Sequence, residues 1–77
     1  FRENGFTAEL WPHDHFPPHV HIFKAEYETV IAVEGTEEPY VLKAKNMKTE
    51  DIKKALKLVS KYRQKVLEKW KEFHEKN

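Results

Sequence analysis

A 77-residue chain without cysteine and with a formal net charge of +1 is one small domain. It has a modest core and neither a disulfide framework nor a thiolate metal site, which fits a reducing, cytoplasmic setting. The longest apolar runs, such as Val30-Ile31-Ala32-Val33, are far too short to cross a bilayer.

Phe1-Arg2-Glu3-Asn4-Gly5 lacks the basic-then-apolar order of a signal peptide, and with no initiator Met a few residues are expected ahead of Phe1. Downstream, Phe6 to Trp11 alternates apolar and polar residues between Gly5 and Pro12, and reads as a strand. His19 to Lys24 alternates again, entered through Pro17-Pro18, which hold the backbone extended. Tyr27 to Glu34 is dense in β-branched residues and stops at Gly35; Tyr40 to Lys45 follows the turn-like Gly35 to Pro39. Short strands with tight connections predict an antiparallel meander of three to four strands over residues 6–45.

Residues 49–76 read as one long helix. Thr49 is a suitable N-cap, with Glu50 and Asp51 in the first turn where the helix dipole favours negative charge. Ile52, Ala55, Leu56, Val59, Tyr62, Val66, Trp70 and Phe73 form one apolar stripe at three- and four-residue steps. The expected fold is therefore α+β, a single domain over 1–77 with the sheet packed on the C-terminal helix. A helix of that length, ~40 Å at 1.5 Å per residue, overhangs strands of ~20–26 Å. Either it breaks, with Ser60 the weakest point, or a second chain or the residues before Phe1 bury the end that carries Trp70 and Phe73.

Strand alternation divides the sheet into two faces. Phe6, Ala8, Leu10, Val20, Ile22, Ile31, Val33, Leu42 and Ala44 fall on the face expected to meet the helix. Thr7, Glu9, Trp11, His19, His21, Phe23, Val30, Ala32, Val41, Lys43 and Lys45 fall on the other, a mixture suited to meeting a partner. Trp11, Phe23, Lys43 and Trp70 are the candidate partner-binding residues.

Four of the five histidines lie between His13 and His21. His19 and His21, two apart on a strand, project the same way, so both imidazoles can reach one metal. Zinc would need further ligands, available from His15 and Asp14, or from His13. The same pair are the candidate catalytic residues, base and acid, of an RNA-cleaving toxin, with Lys43 and Lys45 on that face to hold phosphate. Arginine is scarce and no activated nucleophile or Gly-rich phosphate loop is present.

Asp14-His15-Phe16-Pro17-Pro18-His19-Val20-His21 resembles the Asp-His-x-Pro-Pro-His-x-His signature of the small bacterial domain-of-unknown-function family numbered 4160. The layout is similar over nearly the whole chain: a strand before the signature, a strand leaving it, and a helix ending in a Trp with a nearby His, here Trp70 and His74. The resemblance implies no activity. It implies a cytosolic bacterial protein, often encoded beside another small protein in pairs that look like toxin–antitoxin modules.

The leading expectation is thus a binding component of such a pair, acting through its His/Pro-rich sheet face or its helix end on a protein encoded nearby or on itself. The alternative is a metal-binding or histidine-dependent RNA-cleaving toxin centred on His15, His19 and His21. Nucleic-acid binding by the helix has less behind it. Residues 49–77 sum to +4 against −3 for residues 1–48, but glutamates dilute the helix lysines.

Overall fold

The structure, a computed structural model, describes residues 1–11, 15–34 and 37–75. Its strands are β1 (Arg2–Glu3), β2 (Phe6–Glu9), β3 (His19–Lys24), β4 (Tyr27–Ala32) and β5 (Tyr40–Lys45), followed by helices α1 (Thr49–Lys61) and α2 (Arg63–Glu75). The fold is α+β. The five strands form one antiparallel sheet in sequence order, so the meander holds with one strand more than the alternation predicts.

The added strand comes from a hairpin. Asn4 and Gly5 both have positive φ, at 53° and 83°, and Glu3 pairs with Phe6 across this two-residue turn. Both central residues of a type I′ turn need that conformation, which Asn and Gly adopt at little cost. A second two-residue turn joins β3 to β4, where Lys24 pairs with Tyr27 and Ala25 carries φ of 54°.

The expected single helix is two helices. Tyr62 interrupts the run with φ −104° and ψ 17°, two residues past Ser60. Neither Gly nor Pro is responsible. The Tyr62 hydroxyl donates to the Glu3 carboxylate, and its ring lies 4.5 Å from the Phe1 ring. Contacts to the β1 end of the chain thus hold the residue at the break. Thr49 is the first helical residue rather than the cap; Lys48 holds the N-cap position without a side-chain bond.

The break resolves the overhang within the chain. Val66 is buried on α2, and Trp70 is only 2% exposed. Trp70 is therefore an interior residue, and its selection as a partner-binding residue is corrected by that burial. The core unites Phe6, Val20, Ile22, Ile31 and Val33 with Ala55, Leu58, Val59, Val66 and the loop residue Met47. Each large side chain buried this way contributes about 1.5–3 kcal/mol.

β5 departs from the expected face pattern. A bulge shifts its register opposite Val30 and Ile31, so Ile31 pairs with Val41 rather than with Leu42. One extra residue inverts which face the following side chains address. Val41 therefore moves to the helix-side row, and Leu42, assigned to that row by alternation, is 44% exposed. All six β5 residues are exposed. The buried core lies under β2, β3 and β4; α1 also reaches β5, but every side chain of that edge strand stays exposed.

Candidate functional site

The site begins with β3. Val20 and Ile22 point into the core, which turns His19, His21 and Phe23 to the opposite face. Pairing carries that row across the sheet: His21 lies between Glu9 of β2 and Val30 of β4, and Val30 pairs in turn with Lys43. Phe23 lies one row along, between Thr7 and Glu28, and is half-buried, whereas Lys43 is exposed. The sequence-predicted histidine pair is thus brought together, with ring centroids 5.2 Å apart and the planes edge to face.

Each of these rings is oriented by an oxygen at Nδ1. His19 Nδ1–H donates to the Pro17 carbonyl at 2.7 Å, and His21 Nδ1–H to Glu28 Oε2 at 3.1 Å. An oxygen acceptor fixes the proton on Nδ1 and so fixes the tautomer. Glu28 reaches His21 diagonally across the hairpin, from the residue paired with Phe23. Trp11 covers the other side of His21, stacked at 3.7 Å with 17° between planes, and its indole N–H donates to Glu9 Oε1 at 3.2 Å. Between Trp11 and Glu28, His21 is only 6% exposed.

From His19 the contacts continue onto α2. The His19 ring lies 5.2 Å from Trp70, and Trp70 stacks on His74 at 4.0 Å. Trp70 and His74 are one turn apart, and His74 Nδ1–H donates to the Trp70 carbonyl at 2.8 Å. Phe16 closes the run at 5.9 Å from both the Trp70 and His74 rings. The Phe16–Pro17 peptide is cis. Trp11, His21, His19, Trp70, His74 and Phe16 thereby form one unbroken line of rings from beyond the end of β2 to the end of α2. This part of the face is covered rather than open, since Ala32, paired with His19, is fully buried and His21 nearly so. Its ends are the most exposed members, Trp11 at 43% and Phe16 at 74%, while His19 and His74 are half-buried and His21 and Trp70 buried.

Of the predicted metal residues, His15, His19 and His21 lie among the described residues. His15 is exposed, and among the described residues no three His, Asp or Glu side chains converge as metal ligands. Asp14 and His13 lie outside the described residues. An imidazole oriented by a carboxylate, as His21 is by Glu28, is an arrangement that proton-transfer sites use, but this one is sheathed by Trp11.

Sequence reading missed Glu28 and gave Phe16 no role of its own. The hairpin register was the signal for Glu28. Counting back from a two-residue turn at Ala25-Glu26 sets Glu28 opposite Phe23 and diagonal to His21. Phe16 had none, because nothing local tells a loop aromatic that reaches a helix from one that does not.

Among the described residues no helix is long and apolar enough to cross a membrane. No curated protein and no solved structure matches the chain. A family model covers nearly all of it, and over residues 5–71 the chain belongs to the Domain of unknown function (DUF4160) family.

Proposed function

We propose that this chain is the binding component of a cytosolic two-protein module of the toxin–antitoxin kind, and that it grips a partner encoded nearby with the exposed ends of its ring line. One observation carries the reading: Trp11 at 43% exposure and Phe16 at 74% stand at either end of a continuous run of ring contacts, stacked at Trp11–His21 and Trp70–His74 and edge-on or tilted between them. Large aromatics on a preordered surface are the side chains that dominate protein interfaces, since they bury much area while losing little rotamer freedom. The two-gene arrangement enters from the family resemblance.

The histidine-dependent alternatives use the same rings and ask more of them. RNA cleavage by His19 and His21 needs a ring open to substrate, and zinc held with His15 and Asp14 needs ligands that converge. A sheathed His21 favours docking, in which the histidines serve as spacers that hold Trp11 and Trp70 in line.

Isothermal titration of the chain against the product of its neighbouring gene is the test. Phe16→Ser, on a loop and outside the core, should weaken binding about 30-fold, the effect of a hot-spot residue worth about 2 kcal/mol. Circular dichroism should show the variant folded. A neighbouring product that fails to bind, or binds Phe16→Ser as well as the parent, refutes the reading.

A further inference from the structure

The helix-covered side of the sheet holds an opening of a different kind. Between α2 and the β2–β3 pair lies a half-open groove of about 310 Å³, with Leu10, Val20, Val66 and Phe73 in its lining and Lys65 and Lys69 at its rim. Its floor belongs to the helix-side rows, so it is separate from the ledge of Trp11 and Phe16.

The two rim lysines set the chemistry. One turn apart, they stand on the same side of α2, about 6 Å from each other along the axis. Lys24 and Lys61, elsewhere on this flank, are paired with Asp51 and Glu3. Among the described residues Lys65 and Lys69 have no carboxylate partner; their ammonium groups lie over the Tyr62 and Phe73 rings, each 5.6 Å from the centroid. An apolar trough with two cations a turn apart that have no carboxylate partner among the described residues is complementary to a segment with apolar side chains on one face and carboxylates a turn apart beside them.

We infer that this groove seats an acidic amphipathic helix of a protein partner. A second copy of this chain fits poorly, since matching grooves would bring lysine against lysine. A small ligand is less suited because the trough is open along one side, whereas small-molecule sites enclose most of their ligand. Single-stranded nucleic acid would find Phe1 and Phe73 to stack on, but the rest of the apolar lining (Ala8, Leu10, Val20 and Val66) is aliphatic.

The probe is a fluorescein-labelled helical peptide of Glu and Leu in amphipathic order, with a Gln-for-Glu twin and a Lys-for-Glu twin. A single-stranded oligonucleotide and anionic phospholipid vesicles complete the set. The Glu/Leu peptide should bind the intact chain and shift the amide resonances of Leu10, Val20 and Val66. The Gln twin, and the Lys65→Glu/Lys69→Glu variant with the original peptide, should each bind about ten-fold more weakly, as expected when two exposed charge pairs are lost. The Lys twin should prefer that variant to the parent chain. Phe16→Ser should leave peptide binding unchanged, which separates this groove from the ring-line surface. Absence of binding, equal affinity for the Gln twin, resonance shifts confined to other surfaces, or tighter binding of the oligonucleotide or vesicles overturns the inference.

Discussion

Replacing Trp70 separates two properties of one side chain. Trp70 is 2% exposed, and its indole Nε1 is the one fully buried side-chain polar atom without a hydrogen-bond partner among the described residues. Trp70→Ala removes the ring that joins His19, Phe16 and His74, at a cost of about 3–5 kcal/mol for a buried aromatic. At about 0.05–0.15 kcal/mol per residue, a chain this long holds roughly 4–12 kcal/mol in all, so the alanine variant should lose between about a quarter and all of its stability. Trp70→Phe keeps an aromatic ring and deletes the unpaired donor, whose burial costs about 1–3 kcal/mol. That relief offsets the loss of the second ring, so the phenylalanine variant should fall within about 1.5 kcal/mol of the parent. Urea unfolding followed by far-ultraviolet circular dichroism measures both. An alanine variant that loses under about 1 kcal/mol would show that Trp70 is not a core residue. A phenylalanine variant as weak as the alanine one would show that the buried N–H carries no penalty.

The acid limb of stability should trace to Glu3 and Asp51. The Tyr62 hydroxyl and the Lys61 ammonium hold Glu3 below the usual carboxylate range, and Lys24 does the same for Asp51. A depressed folded-state pKa gives stability that is present above the ordinary carboxylate value and is lost as pH falls through the folded one. The urea midpoint should therefore drop on acidification, and Glu3→Gln/Asp51→Asn should flatten that dependence; an unchanged slope would contradict it. In the β3–β4 turn, Ala25 at φ 54° occupies the left-handed region, which costs a non-glycine residue about 1–2 kcal/mol. Ala25→Gly relieves that strain against an added chain entropy of about 0.5–1 kcal/mol, so the urea midpoint should rise, and a fall would refute the strain.

Much of this fold is legible from periodicity. The alternation over residues 19–24 and 40–45 gives strands with the bounds that β3 and β5 have, and the helix expected from residue 49 begins there, although Thr49 is its first residue and not its cap. β1 was hidden because two residues cannot show alternation, although Asn4-Gly5 is a strong hairpin signal. Residue type marks Ser60 as the weakest point of the helix, and the break falls two residues on, at Tyr62, which Glu3 and Phe1 contact. No residue announces the bulge in β5. For the site, a period of two puts His19 beside His21, and a step of four puts Trp70 beside His74. What joins these pairs is the packing of α2, which no local pattern encodes.

β5 contributes none of the buried core residues. It is tied to β4 by ladder bonds and by the Thr29 hydroxyl, which donates to the Lys43 carbonyl at 3.1 Å from a fully buried position. A strand held by backbone pairing without interior apolar anchors belongs to the lowest tier of local opening. It is the hem of the sheet, and its amide protons should exchange with solvent ahead of those of β3.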